Sequence, residues 1–517
     1  MKIKTKSNKM KFALKSGSPY SFKNKAGAAI AAGGFGCVFK PAIPCSGETT
    51  RSDGISKILL KKDAKDEYKE TLRIRPVINK IPNNQKYFLI QEMRICQPEK
   101  LTKDDKQKFE KCHNLIRRGI TESNINNNIH RLEIINLPYG GVDLSILIRK
   151  NMNAETFAKI NHKLTSLITN AIVPMNKLNL IHADLKDANM LFNEKDDEIR
   201  IIDWGFGEIL KKSIPRSMDG RPLQFNAPFS SILFDKGFIV FFTRVLDGSN
   251  SKITTEKMHV IAEHYLTEYA LRNGHGPYIL ENIFPQYFDP NFKISAMKIH
   301  TMGIELIANY LTKILMEYTD FSTNKFDTKK YFFDVYIKNL DIWGALTSYL
   351  EILKALEKKT IVLESKKREK IIKLVRNILK SYLYTIEYAT KPININKLVE
   401  EMKEINKVLG IKIESVAKVA SPKAKVASPK AKAASPKAKA ASPKAKVASP
   451  KAKNARCPNG TRRNKDTGNC DKVKKTSSKK KKTSSKKKKK KSSTSTKRTR
   501  CPNGTRRNKK TGNCEKK

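Results

Sequence analysis

Two rhythms of apolar and polar residues divide this chain, and the first is short and strand-like. Residues 26–40, AGAAIAAGGFGCVFK, form an apolar stretch broken by small residues and closed by CVF, which predicts a strand, a glycine turn and a second strand. ISKILL (55–60) predicts a third strand. KDAKDEYKETLRI then predicts a polar helix that runs up to the breaker Pro76. YFLI (87–90) and LEIINLPYGG (132–141) read as further strands, the second ending in a Pro/Gly turn. After that the period turns helical, in ETFAKINHKLTSLITNAIVPMNKL. Residues 229–340 are mixed and carry no recognisable motif, whereas 341–409 are helical again in DIWGALTSYLEILKAL, REKIIKLVRNILKSYL and NINKLVEEMKEINKVL. The pattern predicts an α+β protein, a small β-rich part followed by a larger α-rich one.

Composition adds a tail. The 517 residues carry a net charge of +55, and 417–517 hold 37 Lys/Arg against 3 Asp/Glu, leaving +21 for the first 416 residues. The tail has no aromatic residue, so it cannot bury enough apolar surface to offset chain entropy and is expected to be disordered. SPKAK recurs in it from Ser421, Ser428, Ser435, Ser442 and Ser449; proline in every seven-residue repeat excludes a coiled coil. No apolar run approaches a membrane span, and the N-terminus MKIKTKSNKMKFALKSG lacks the apolar core of a signal peptide. A reducing compartment is therefore expected, with Cys37, Cys45, Cys96 and Cys112 as free thiols.

Candidate chemistry lies in IHADLKDANML (181–191) and IIDWG (201–205). Phosphate transfer from ATP needs a flexible backbone over the phosphates, a cation on them, oxygen ligands for magnesium and a base near the acceptor hydroxyl. Gly33, Gly34 and Gly36 let backbone N–H groups approach a triphosphate, and Val38 covers the adenine. Lys57 reaches the α- and β-phosphates, held by Glu67 or Glu70 on the next helix; Glu67 is favoured, since Pro76 leaves Glu70 near the helix end. Asp184 is the candidate base, Lys186 stabilises the transferred phosphoryl, and Asn189 and Asp203 hold Mg2+. His182, Ile135, Trp204 and Trp343 read as structural.

These motifs resemble the eukaryotic-type protein kinases. AAGGFGCV is similar to G-x-G-x-x-G-x-V, ISK to V-A-I-K, IHADLKDAN to H-R-D-L-K-x-x-N, DWG to D-F-G, and DIWG (341–344) to the family's D-x-W-S/G. The resemblance implies a bilobal fold with ATP in the cleft. Ile30, Ala31, Ala32, Gly33, Gly34, Phe35, Gly36, Cys37 and Val38 would form the loop over the nucleotide, Asn136 to Tyr139 the hinge, Ile135 the residue behind the adenine and Asp143 a ribose partner. The D-L-K form at 184–186 resembles Ser/Thr kinases, so protein hydroxyls are the implied substrate. Four departures stand out. Ala31 replaces a loop glycine; Ala183 replaces the arginine of H-R-D, which makes activation by loop phosphorylation doubtful; Ala227-Pro228-Phe229 lacks the glutamate of A-P-E; and 229–340 reads as an insertion.

The whole set is similar to the Ser/Thr kinases of large cytoplasmic DNA viruses, iridoviruses especially, which implies host cytoplasm and virion rather than secretion. The expected layout is a basic extension (1–20), an N-lobe (21–136), a C-lobe (137–416), the SPKAK tail (417–455), two two-cysteine motifs (456–471 and 500–517) and a Lys/Ser-rich linker (472–499). RCPNGTRRNKDTGNC and RCPNGTRRNKKTGNC resemble the two-cysteine adaptor motif of such viruses, with a disulfide within each unit or between chains as the use considered. The tail is similar to linker-histone tails, which implies binding of DNA or another polyanion through phosphate neutralisation, and no membrane partner. Two rivals stay open: a small-molecule kinase of similar fold, and a catalytically weak, nucleic-acid-binding scaffold of the virion.

Overall fold

A computed structural model describes residues 28–32, 36–249, 252–287 and 294–411, together with four three-residue strands further on. The chain forms two compact units, 1–420 and 421–517. In the first, a five-stranded sheet has the order β1-β2-β3-β5-β4, all pairs antiparallel: β1 Ala28–Ala32, β2 Cys37–Lys40, β3 Ile55–Leu60, β4 Arg94–Cys96 and β5 Leu132–Leu137. Side chains alternate across a strand, so each face has its own packing. Cys37, Phe39, Ile58 and Ile134 point to a core closed by Leu101, Phe109, Cys112 and Leu115. Lys57, Leu59 and Ile135 point to the other face, where Leu59 and Ile135 pack with Ala64 of helix Lys61–Ile78.

Three expectations in this part need correction. The helix does not stop before Pro76 but runs to Ile78. The missing N–H of Pro76 orphans only the carbonyl of Leu72, an exposed residue near the helix end that water can serve. YFLI is not a strand: its backbone meets strand Glu198–Ile201 through one isolated bridge, Phe88 with Ile201, and the bond Ile201 N–H to Tyr87 O (2.8 Å). The edge strand is β4 instead.

The third correction concerns sulfur. Cys37 is bonded to Cys112 and Cys45 to Cys96, with Cα–Cα separations of 5.1 and 5.7 Å. Sequence separations of 75 and 51 residues hide this proximity, which only the folded sheet and its covering loops create. Closing loops of that length stabilises a fold by up to about 4 kcal/mol each. Reductant is therefore expected to lower the urea midpoint of the wild type and to leave a Cys37→Ser/Cys45→Ser double variant unmoved; equal midpoints for the wild type with and without reductant would contradict the pairing.

Two small sheets follow: β6 Val142–Asp143, β8 Met190–Asn193 and β9 Glu198–Ile201 in the order β6-β8-β9, and β7 Leu180–Ile181 with β10 Glu208–Ile209. The predicted long helix runs Ala154–Leu167, widens through a π turn at Ile168–Ile172 and continues as Val173–Lys177, the π turn accommodating Pro174. Helices Ile337–Leu346, Ser348–Glu357, Ser365–Tyr382 and Ile395–Leu409 match the helical period of 341–409. Buried Asn161 joins three elements, donating to Met402 O (2.9 Å) and accepting from the Tyr349 hydroxyl.

Residues 229–340 are no appendage. Helices Lys236–Asp247, Thr255–Tyr265 and Ala296–Tyr318 bury Phe238, Phe242, Tyr310 and Ile314 in one core with Trp343 and Tyr349. No helix among the described residues is long and apolar enough to cross a membrane.

In the second unit, strand Thr461–Arg463 pairs antiparallel with Cys470–Lys472, and Thr505–Arg507 with Cys514–Lys516, one strand pair in each two-cysteine motif. The SPKAK repeats and the side-chain pairing of Cys457, Cys470, Cys501 and Cys514 lie outside the described residues.

Candidate functional site

Strand pairing assembles the site. IHADLKDAN runs between β7 and β8, and DWG between β9 and β10. Met190 pairs with Ile201 and Ile181 with Glu208, so both loops leave and re-enter paired strands side by side. Ile202 N–H donates to Asn189 O (3.0 Å), which ties the residue before Asp203 to Asn189.

Three donors converge on Asp184. Lys186 Nζ and Asn189 Nδ2 reach Oδ2 at 2.9 and 3.1 Å, and Asn226 Nδ2 reaches Oδ1 at 2.9 Å. Asn189 Nδ2 also donates to Asp184 O (2.7 Å), which fixes the amide orientation and leaves its oxygen with no partner among the described residues. Asp203 is exposed, sits at φ 64° and accepts from Gly205 N–H at 3.4 Å. One amide oxygen and one free carboxylate suit a hard divalent cation that takes its remaining ligands from phosphate and water. No cluster of three His, Cys, Asp or Glu with metal-binding geometry occurs among the described residues.

Helix Ile337–Leu346 supports the loop from below. Asp341, fully buried, accepts N–H bonds from His182 (3.0 Å) and Ala183 (2.9 Å). Burial pushes its carboxyl up, while His182, both N–H groups and Arg221 act against that. Gly344 is glycine because a Cβ there would collide with the carbonyl of Leu185, and Trp343 Nε1 donates to Phe225 O (3.1 Å). His182 is buried with Nε2 on Ile202 O (2.9 Å), and Trp204 packs on it at 4.8 Å, as expected of structural residues. Asp341→Ala would strand two buried N–H groups. It is expected to cost about 3 kcal/mol of unfolding free energy, measured by denaturant titration, and a loss below about 1 kcal/mol would contradict the role.

Lys57 meets its partner on the sheet. Nζ lies 2.7 Å from both carboxylate oxygens of Glu67, which follows Ala64 and precedes Thr71, Ile74 and Ile78 on the inward stripe of the helix. Glu70 faces away and bonds Arg73 (2.8 Å), whose guanidinium also donates to Gly207 O (2.9 Å) beyond DWG.

The residues expected to lie over a nucleotide divide. Val38 lies opposite Ala31 and Lys57, on the Lys57 face, and Ile30 and Ala31 are exposed. Ala32 is described only as backbone, and Gly33, Gly34 and Phe35 lie outside the described residues. Gly36 has no room for a Cβ under Ile58 O. Cys37 is the correction: strand alternation turns it into the opposite core, where it is disulfide-bonded. Asn136 is also occupied, its side chain bonded to Ser56 Oγ and to Ile43 O (3.2 Å) and its backbone paired with both β3 and β4. Tyr139 carries the Lys40 ammonium 3.0 Å above its ring. Asp143 is a helix cap, accepting from Ser145 N–H (2.8 Å) and Ser145 Oγ (2.6 Å). Two open concavities of about 450 and 510 Å3, lined in part by Thr312 and Lys313 and by Lys211 and Lys212, include none of these residues.

Sequence reasoning missed two contributors. Asn226 immediately precedes Ala227-Pro228, the one signal that could have drawn attention to it. Arg221, buried, donates to Ala183 O (2.7 Å) and Gln224 Oε1 (2.9 Å), so a guanidinium from the following segment grips the loop at Ala183. Ala183 sits at φ 63°, and nothing in its sequence neighbourhood announces that contact. Phe229 packs with its ring centroid 5.1 Å from that of Trp343 and 5.7 Å from that of Tyr310.

Comparison with protein-family models gives no match, and comparison with curated proteins gives no significant one.

Proposed function

We propose that this chain is an ATP-dependent serine/threonine protein kinase of bilobal fold, with a basic tail that associates with DNA or another polyanion. The observation that carries the reading is the Asp184 carboxylate held by Lys186, Asn189 and Asn226, beside an amide oxygen and an exposed carboxylate suited to a cation. The ion pair Lys57–Glu67 supports it, because a phosphate-binding ammonium must be held in place.

In this mechanism Asp184 orients the acceptor hydroxyl and takes its proton as the oxygen–phosphorus bond forms and ADP departs. Asn226 and Asn189 keep the carboxylate aimed, and Lys186 neutralises charge on the phosphoryl in flight. Lys57, fixed by Glu67, binds the phosphates that stay with ADP. Mg2+, held by Asp203 and the oxygen of Asn189, would neutralise phosphate charge. Arg221 and Asp341 secure the loop from both sides without a phosphate group, which fits a kinase independent of loop phosphorylation.

The test is an acceptor screen with labelled Mg-ATP. Transfer to basic proteins and none to sugars or choline is expected; transfer to a small alcohol alone would replace this reading with that of a small-molecule kinase.

A further inference from the structure

Helix Ser365–Tyr382 stands apart in charge, with seven Lys or Arg against one acid, Glu369. One stripe faces inward: Ile371, Val375, Ile378, Leu379 and Tyr382 are buried in the core, against helices Ser348–Glu357 and Ile395–Leu409. Lys366, Lys370, Lys373 and Asn377, spaced by four, three and four residues, share the exposed side. Three other cations of the helix have tasks inside the fold. Lys367 donates to Leu409 O (3.3 Å), Arg368 to Leu363 O (2.6 Å) and Arg376 to the Glu357 carboxylate (2.7 Å). The side chains of Lys366, Lys370 and Lys373 make no ion pair or hydrogen bond among the described residues, and Glu369 pairs with none of them. The neighbouring helix Ile395–Leu409 is built differently: Lys403 bonds Glu400 (2.8 Å) and Lys407 bonds Glu404 (2.9 Å), so its surface charge is matched. Like charges three and four residues apart repel, so the unmatched row works against the helix unless an anion lies along it.

We propose that this face is a nucleic-acid-binding surface of the folded unit, gripping the sugar–phosphate backbone of a duplex through Lys366, Lys370 and Lys373. It is separate from the basic tail and does not rest on the kinase reading. The partner follows from what the face lacks. A helix that binds a lipid surface sinks a free apolar side into it, and here the apolar stripe is already packed in the core. A protein interface needs a desolvated apolar centre, and every exposed residue of this helix is polar. Phosphates ask only for charge: a duplex carries one every ~1.7 Å of its axis, and release of its counterions drives binding. From Lys366 to Asn377 the helix rises about 16 Å, so the three ammonium groups meet successive phosphates along one backbone. With its inner stripe packed, the helix lies across the backbone without entering a groove, and base sequence is not read.

The test acetylates the full-length protein sparingly at low salt, with and without a short duplex of mixed sequence, and reads each lysine by mass spectrometry. The reactivity of Lys366, Lys370 and Lys373 is expected to fall about threefold with duplex of any sequence, while the exposed Lys62 and Lys69 of helix Lys61–Ile78 keep theirs. In full-length Lys366→Gln/Lys370→Gln/Lys373→Gln, the slope of log affinity against log salt is expected to be shallower by about 3, with the unfolding curve unchanged. Unchanged reactivity of the three lysines while tail lysines are protected would overturn the proposal. So would an unchanged salt slope in the variant, or protection by phosphatidylserine vesicles with none by the duplex.

Discussion

Replacing Asp184 with asparagine is expected to lower the rate of phosphate transfer about 1,000-fold while leaving nucleotide binding and thermal stability close to wild type. Asparagine keeps the shape of the side chain and can still accept from Lys186, so the loop above Asp341 stays folded. It cannot take a proton. The signature is thus a fall in kcat with little change in KM for ATP, measured by steady-state kinetics beside a denaturation curve. An equal fall in stability would assign Asp184 a structural role instead.

The second large effect belongs to Lys57. Its ammonium lies 2.7 Å from both carboxylate oxygens of Glu67, and it is mostly enclosed. Lys57→Met removes the cation and leaves Glu67 alone, so kcat/KM for ATP is expected to fall about 100-fold. Lys57→Arg is not expected to restore it, since a planar guanidinium is longer and needs a different pairing geometry. Glu67→Gln should fall less, because the lysine remains but loses its tether, whereas Glu70→Gln, which only frees Arg73, should change little. If Glu70→Gln were as damaging as Glu67→Gln, the assignment of the pair would be wrong.

Local pattern made these residues legible. The expectation that Glu67 holds Lys57 rests on Pro76 ending the helix; the helix runs on to Ile78, and Glu67 meets the lysine instead because it falls on the inward stripe of the helix while Glu70 does not. The order of Asp184, Asn189 and Asp203 marks the two loops, but nothing in that reading announces β7 to β10, whose pairing sets them side by side. What the sequence concealed depends on distance in space. The pairing of Cys37 with Cys112 arises from a sheet face and a loop far apart in the chain, and compartment arguments could not reveal it. Strand alternation also removes Cys37 from the nucleotide side, although it is one residue from Val38, which stays. The task of the Asn136 side chain, donating to the Ile43 carbonyl, was likewise hidden, since the two lie 93 residues apart. The mixed pattern of 229–340 carries no recognisable motif, so the packing of Phe229 and Tyr310 against Trp343 was not legible in it.

The most direct test of the account is transfer of labelled γ-phosphate from Mg-ATP to a basic protein, run side by side for the wild type and Asp184→Asn. The account predicts transfer that requires the divalent cation and all but vanishes in the variant. Transfer that persists undiminished in Asp184→Asn, or its absence from a folded, ATP-binding wild type, would contradict it.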